Sequence, residues 1–123
     1  MRYIMFLVIL LSGQVSAHQW TPTYPEFEPS YVDGIWRARM TLYNARRDIS
    51  YFEISVFDDD WEKVPFAVTD KIVKVPYLSR KKIDIHIRGQ DRNRVRYLCT
   101  QSKILTRAEK ATVIDSRICS KIK

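Results

Sequence analysis

The sequence predicts an all-β protein that folds as an antiparallel β-sandwich of about seven strands. Apolar and polar residues alternate along several short stretches, and this is the period of a half-buried strand. Turn-forming residues separate the stretches, and no part of the 123-residue chain has the 3.6-residue period of an amphipathic helix. Short antiparallel strands of this kind bury their apolar faces by packing two sheets together.

The first 17 residues, MRYIMFLVILLSGQVSA, predict a signal peptide that is removed on export. Arg2 supplies the basic start, an apolar run follows, and Val15-Ser16-Ala17 fits a small-residue cleavage site. The run is shorter than the roughly 20 apolar residues of a transmembrane helix, so we expect no stable membrane anchor after cleavage. An uncleaved N-terminal anchor is the alternative. Cleavage leaves residues 18–123 as a single secreted domain, in the periplasm or outside the cell.

Three elements are predicted in the first half of this domain. Residues 18–30 contain three prolines, which restrict the segment to extended coil or an edge strand because proline donates no ladder hydrogen bond. Residues 49–57, ISYFEISVF, are rich in β-branched and aromatic residues and predict a strand. Between them, residues 35–44 follow the turn signal Asp33-Gly34 and place four apolar side chains on one face: Trp36, Ala38, Met40 and Leu42.

Four further strands are predicted after the acidic run Asp58-Asp59-Asp60. This run indicates an exposed turn, because the alternating ligands and the glycine of a calcium loop are missing. In the second of these strands Ile83, Ile85 and Ile87 share the inward face. The four strands are predicted at residues 72–78, 82–88, 94–103 and 111–122.

Two cysteines, Cys99 and Cys119, lie in the mature chain, and export predicts that they form a disulfide, because oxidising compartments preserve such bonds. Closing a loop of this length stabilises a fold by roughly 3 kcal/mol in the chain-entropy model. A CxxC redox site or a zinc site would need closer spacing or more ligands.

No motif of an enzyme is present: the chain lacks GxSxG, a phosphate-binding glycine loop and HExxH. We therefore expect a non-enzymatic protein without a cofactor or a metal. One alternative is a copper site, in which the amine and imidazole of His18, exposed by cleavage, bind Cu(II) together with His86. The other interpretation of these residues is that cleavage has to expose some residue and that His86 is one outward member of a strand.

The charge is uneven along the chain. Residues 18–79 hold 7 Lys/Arg and 10 Asp/Glu, a net charge of −3, whereas residues 80–123 hold 13 and 4, a net charge of +9. A basic C-terminal third can attract an acidic protein, anionic lipid or nucleic acid, or it can keep exposed strand edges unpaired. We expect no nucleic-acid partner, because stacking platforms offer several aromatic residues and only Tyr97, beside Arg94 and Arg96, is suitably placed.

Five segments, in order along the chain, resemble the N-terminal immunoglobulin-like domain of the periplasmic pilus-assembly chaperones. VDGIWRARMTLYN is similar to the second strand of that domain, and YFEISVFDDDWEKVPF to its third strand and following turn. VPYLSRKKIDIHIRG resembles the stretch in which a leucine and a tight turn lead into a strand ending in Val/Ile-Arg. DRNRVRYLCTQSKI resembles the sixth strand, and TRAEKATVIDSRICSKIK the seventh, including the linking R-x-E-K-A.

The resemblance implies that residues 18–123 form an immunoglobulin-like, chaperone-type domain whose last strand is the working edge. In that family the seventh strand adds itself to an unfinished pilin subunit, and its alternating apolar side chains fill the groove left by a missing strand. A lysine near the end of that strand helps to hold the pilin's C-terminal carboxylate. The corresponding partner-binding residues here are Ile114, Ser116, Ile118, Ile122 and Lys123. The alternative is that the isoleucines complete the domain's own core.

Three comparisons with the family refine this expectation. In one branch a disulfide joins the sixth and seventh strands, where Cys99 and Cys119 lie. The family's basic residue on the first strand is missing, since the chain reads Glu28-Pro29-Ser30, and Ser79-Arg80-Lys81 replaces a Pro-Gly turn. As a stand-alone domain with a signal peptide, this chain resembles chaperone-like proteins encoded by phages of marine bacteria. That resemblance implies a virion-associated location as an alternative to the periplasm.

We therefore expect an exported binding module that pairs by an edge strand with a pilin-like or other β-rich protein. The alternative is a structural or decoration subunit of a virion or surface assembly, because edge strands can also pair with copies of themselves.

Overall fold

The structure, a computed structural model, describes residues 18–103 and 116–123. These residues form eight β-strands and one short 3-10 turn at Gly89–Asp91, and no α-helix occurs in these two ranges. The strands are β1 (His18–Thr21), β2 (Glu28–Pro29), β3 (Ile35–Asn44), β4 (Tyr51–Phe57), β5 (Ile72–Lys74), β6 (Arg80–Arg88), β7 (Tyr97–Lys103) and β8 (Arg117–Lys121).

All pairings are antiparallel, and the strands form two sheets. In the first sheet β3 is central, with β6 on one side and both β1 and β2 on the other. The second sheet has the order β5-β4-β7-β8. The first sheet thus contains β2, β3 and β6, and the second contains β7 and β8 beside β4. This division of the strands is that of an immunoglobulin-like sandwich. The predicted fold class is confirmed.

The prediction of about seven strands becomes eight because the N-terminal segment is divided. β1 pairs with one end of β3, where His18 lies opposite Asn44, and β2 pairs with the other, where Pro29 lies opposite Trp36. Prolines at positions between the two strands supply no N–H for a continuous ladder, so a single strand is not formed. The predicted strand at 72–78 is shorter, Ile72–Lys74, since Pro76 follows it closely.

The hydrophobic core lies between the two sheets and consists of alternate residues of the long strands. The predicted inward faces of β3 and β6 are confirmed, and fully burying each such aliphatic or aromatic side chain stabilises the fold by about 1.5–3 kcal/mol. The central contributors are Ala38, Met40 and Leu42 from β3, Phe52, Ile54 and Val56 from β4, and Ile83, Ile85 and Ile87 from β6.

A buried polar side chain, Asn44, organises the end of β3. Its amide Nδ2 donates to the carbonyl oxygens of Ile49, at 2.7 Å, and Val75, at 2.8 Å, and its Oδ1 accepts from the backbone N–H of Arg46 at 2.8 Å. The side chain is fully buried, so these bonds satisfy polar groups that no water reaches. Asn44 thereby fixes the loops that lead into β4 and β6.

Candidate functional site at the edge of the second sheet

The last strand, β8, lies at the border of the second sheet. One side of β8 pairs with β7, from Tyr97 opposite Lys121 to Gln101 opposite Arg117. On the other side, no strand within residues 18–103 or 116–123 pairs with it. We call this outer side of Arg117–Lys121 the β8 edge. Its position agrees with the prediction that the final strand lies at a border of the sandwich.

A disulfide between Cys99 and Cys119 joins β8 to β7, and the two residues lie directly opposite each other. The predicted pairing of the cysteines is therefore confirmed. The Cα atoms of the pair are 4.1 Å apart, which is close to the roughly 4.5 Å spacing of a pair that exchanges no backbone hydrogen bonds. The backbone N–H and C=O of Cys119 consequently point away from β7, toward the β8 edge.

Hydrogen bonds at both ends of β8 give the same alternation. The carbonyl of Ser116 accepts from the N–H of Ser102 at 3.0 Å, so residue 116 bonds inward to β7. The N–H of Lys121 instead donates outward, to the carbonyl of Thr23 at 3.1 Å. Because inward and outward groups alternate along an antiparallel strand, the odd-numbered residues of β8 present their backbone groups at the edge. The outward backbone groups of Arg117 and Cys119 lie beyond the contact with Thr23.

The even-numbered side chains of β8 point into the domain. Ile118 and Ile122 are half-buried and pack against the hydrophobic core. Ser120 is buried, and its hydroxyl donates to the carbonyl of Pro22 at 2.8 Å. Ile118 and Ile122 thus contact the domain's own core from its border, whereas Ile114 lies outside the described residues. An exposed apolar stripe is therefore not what β8 offers to a partner.

The odd-numbered positions from 117 to 123 carry exposed cations. Arg117, Lys121 and Lys123 are all exposed, and none has a carboxylate within 4.0 Å in the part of the chain that the structure describes. The guanidinium of Arg117 lies 5.2 Å from the ring centre of Trp61, and the Lys123 ammonium lies 4.9 Å from that of Tyr24. These contacts with aromatic rings position two of the cations without neutralising their charge.

Beside the β8 edge, the outer face of the second sheet carries an aromatic stack that the sequence did not predict. The ring of Trp61 lies parallel to that of Tyr97, with centroids 4.0 Å apart and planes 6° apart. Trp61 has φ of 61°, a left-handed conformation that is unusual for a bulky residue. The backbone N–H groups of Asp60 and Glu62 both donate to Asp58 Oδ1, and these bonds hold the turn. The only sequence signal was a tryptophan inside an acidic turn.

The charged neighbours of Tyr97 are also paired differently from the predicted arrangement. The guanidinium of Arg96 binds the carboxylate of Asp59, with Nε to Oδ1 at 2.8 Å, and Arg94 lies 3.9 Å from the carboxylate of Asp91. The expected cluster of Arg94, Arg96 and Tyr97 is thus divided among different partners.

A cavity of about 370 Å³ opens where β8 ends. The half-buried Phe27 and Ile122 and the buried Val95 supply apolar walls. Arg92 and Lys123 add positive charge at the same place. The basic surface along β8 therefore continues past the last residue of the strand.

His18 lies inside the fold and joins β1 to the second sheet. Its Nε2 lies 2.9 Å from Thr100 Oγ1, its Nδ1 lies 3.3 Å from Ser116 Oγ, and its ring centre lies 4.9 Å from that of Phe52. Burial, with a smaller effect from the charge of Arg46, lowers the pKa of His18 from 6.5 to about 4. The imidazole is therefore neutral at pH 7 and links β1, β7 and the start of β8.

The two histidines of the copper hypothesis are not brought together. His18 lies opposite residue 44 of β3 and His86 opposite residue 37, so roughly 24 Å of strand separates them. No group of three or more His, Cys, Asp or Glu side chains that could hold a metal ion occurs among the described residues. A shared copper site of these two residues is therefore wrong, because β1 and the end of β6 containing His86 lie at opposite ends of β3.

No protein-family model, curated protein or solved structure matches this chain. Within the described ranges, no helix has the length and apolar character needed to cross a bilayer. The predicted signal peptide at 1–17 lies outside the described residues and stays a prediction.

Proposed function

We propose that this protein is an exported, non-enzymatic binding module that pairs through the β8 edge with an extended segment of another β-rich protein. The observation that carries the proposal is the terminal position of β8 in its sheet, with the backbone groups of Arg117 and Cys119 directed outward. Such groups are a template for a further strand, because main-chain hydrogen bonds across an edge supply affinity. Export to the periplasm, the cell exterior or a virion belongs to the same proposal.

The disulfide supports this function in two ways. It holds β8 against β7 at Cys119, so the edge is formed before a partner arrives and less ordering entropy is lost on binding. Disulfides also persist mainly in oxidising compartments, where an exported protein works. The inward direction of Ile118 and Ile122 means that affinity comes from the main chain and the outward side chains rather than from an apolar stripe.

The experiment compares two proline variants at the two borders of the second sheet. Arg117→Pro removes an outward N–H from the β8 edge. Lys74→Pro removes an outward N–H from β5, where Val75 N–H bonds inward to the Ser50 carbonyl at 2.7 Å and thereby fixes the alternation. Edge positions with an outward N–H tolerate proline, so we expect both variants to keep the β-sheet circular dichroism spectrum of the wild type.

Each protein is immobilised and exposed to the exported proteins of its own cells. We expect a partner that the wild type and Lys74→Pro retain and Arg117→Pro does not. In the purified complex, hydrogen exchange of the Arg117 and Cys119 amides should slow at least tenfold. Equal retention by Arg117→Pro, or unchanged exchange at both amides, would contradict the proposal.

A further inference from the structure

The β8 edge combines the outward backbone groups of Arg117 and Cys119, beyond the Thr23 contact at Lys121, with a fixed pattern of charge. Arg117 and Lys121 occupy the first and last outward-facing positions of the strand, and Cys119 lies between them. Side chains at i and i+4 of a strand project from the same face, roughly 13 Å apart. A segment that pairs with this edge therefore meets two cations on one face, with an uncharged position in between.

We propose that the segment recognised by the β8 edge is acidic and carries two carboxylate side chains four residues apart, one opposite Arg117 and the other near the side chain of Lys121, where the hydrogen bond to Thr23 ends the pairing. This inference rests on the proposed function and names its partner class. Neither cation has a carboxylate neighbour among the described residues, so these residues leave both charges available to an acidic segment. Cross-strand pairs of opposite charge stabilise a sheet and fix its register.

The surroundings of the two cations support a preformed acceptor. The aromatic rings of Phe57 and Trp61 lie 5.7 Å and 5.2 Å from the guanidinium of Arg117, which limits its freedom. Lys121 is opposite Tyr97, and its backbone N–H is bonded to Thr23. Beyond β8, Lys123 and Arg92 line the cavity together with one acidic residue, Glu26, so further positive charge continues past the strand.

The same pattern selects against a second copy of this chain. Two β8 edges can pair antiparallel about a two-fold axis at Cys119, because its backbone groups point outward. That register brings the side chain of Arg117 of each copy near Lys121 of the other, whose N–H stays bonded to Thr23, and like charges on neighbouring strands are destabilising. The charges thus act in both senses: they favour an acidic segment and oppose self-assembly through this edge.

The test uses four blocked nine-residue peptides as probes. TVEVTVEVT carries two glutamates four residues apart, and TVQVTVQVT and TVKVTVKVT replace them with glutamine and lysine. TVEVVETVT has the same composition as the first peptide but places its glutamates on opposite faces of a strand. Affinity and amide exchange are measured by NMR on the oxidised mature domain at 50 mM salt, where exposed charges are only partly screened.

We expect TVEVTVEVT to bind at least tenfold more tightly than the other three peptides and to protect the amides of Arg117 and Cys119. The double variant Arg117→Glu/Lys121→Glu should reverse the preference, so that TVKVTVKVT binds best. The matched control, Lys71→Glu/Lys74→Glu, makes the same change of charge at the β5 border and should leave the preference unchanged. Circular dichroism establishes that each variant is folded.

The outcomes separate the inference from the proposed function. If the glutamate and glutamine peptides protect both amides equally, edge pairing stands and the acidic partner is wrong. If no peptide protects either amide, the edge does not pair and both proposals fail. Binding of a ten-nucleotide oligothymidine or of anionic phospholipid vesicles as tightly as TVEVTVEVT would show a general polyanion surface and would also overturn the inference.

Self-association gives a second, independent readout. Sedimentation of the wild type should show a monomer at all concentrations tested. The single variant Arg117→Glu converts both like-charge contacts of the two-fold arrangement into opposite-charge pairs, so we expect a dimer fraction that rises with concentration. A wild-type dimer that Arg117→Pro abolishes would establish the second copy as the occupant of the edge and overturn the acidic-partner inference.

Discussion

The edges formed by β6 and β8 differ in how their outer backbone groups are used. Outside β6, Ala67 forms a two-way bridge with His86: the N–H of each donates to the carbonyl of the other, at 2.8 and 2.9 Å. Outside β8, Thr23 accepts one hydrogen bond, at Lys121. Both strands carry basic residues, yet among the described residues a two-way bridge crosses β6 at His86, whereas a single hydrogen bond crosses the outer side of β8, at Lys121. The presence of basic residues therefore does not show whether an edge is paired, whereas its main-chain hydrogen bonds do.

The interior attachments of the two edges differ as well. The entry into β6 depends on Asn44, whose backbone N–H and C=O bond to the carbonyl of Ser79 and the N–H of Leu78, at 3.1 and 2.8 Å. The attachment of β8 depends on the disulfide of Cys119 and on the contact between His18 and Ser116. One edge is thus held by a buried amide, and the other by a covalent bond and a titratable ring.

The largest effect is expected at the β6 side, from Asn44→Ala. The change leaves the carbonyls of Ile49 and Val75 and the N–H of Arg46 without their partner, and each buried group left unsatisfied costs about 1–3 kcal/mol. We expect a loss of about 4 kcal/mol in the free energy of unfolding, measured by urea denaturation. The control Asn93→Ala, at an exposed position, should stay within about 0.5 kcal/mol. Similar values for both variants would contradict the role of Asn44.

On the β8 side, the double variant Cys99→Ala/Cys119→Ala should lower the free energy of unfolding by about 3 kcal/mol, because the open chain gains entropy when it unfolds. Amide exchange distinguishes the edges: the Ile118 amide should speed up by a larger factor than that of Ile85 in β6. Reduction of the wild type should reproduce the change, and the same reductant should not affect the double variant. An equal acceleration at both amides would mean that the bond does not hold β8 in particular.

Mild acid should weaken the attachment of β1 to β7 and β8. Because burial lowers the pKa of His18 to about 4, the unfolded chain, with a histidine pKa near 6.5, binds the proton more readily between these values. The stabilisation is complete above pH 6.5 and is lost as the pH falls toward 4. Between pH 7 and pH 5 we expect a loss of about 2 kcal/mol in the free energy of unfolding. In His18→Gln, which keeps polar atoms but does not titrate, this part of the pH dependence should vanish; an unchanged profile would assign it to other groups.

The smallest effect should follow Ala67→Pro, which removes one of the two hydrogen bonds that cross the outer side of β6 at His86. The proline removes the N–H that donates to the His86 carbonyl, so we expect a loss of about 1 kcal/mol in the free energy of unfolding. The outer side of β6 at His86, held by one hydrogen bond instead of two, should then pair with extended peptides in the amide-exchange assay. If the folded variant binds no peptide at β6, available backbone groups are not sufficient for pairing. Pairing at β8 would then depend on its charge pattern as well.

Local pattern determined the strands and their faces. The alternation from Trp36 to Leu42 and from Ile83 to Ile87 predicted both the extended backbone and the inward residues, because side chains of a strand alternate between its two faces. The pairing of Cys99 with Cys119 was equally predictable, since the sequence contains only these two cysteines.

The same rule did not predict the surroundings of the two faces of β8. Period two places Ile118 and Ile122 on one face, but it cannot say whether that face meets the domain's own core or a partner, because both surroundings are apolar. Only the register with β7 showed that the isoleucines point inward and that Arg117 and Lys121 face outward.

Composition and local period, which depend only on neighbours in the chain, were sufficient to predict an antiparallel sandwich with a disulfide and a basic C-terminal strand. Only the folded arrangement showed that β8 lies at a border of its sheet among the described strands, that His18 is buried and that Trp61 stacks on Tyr97. The contact of His18 with Ser116 joins residues 98 positions apart and the stack of Trp61 on Tyr97 residues 36 apart, and such contacts arise only when both sheets close around one core.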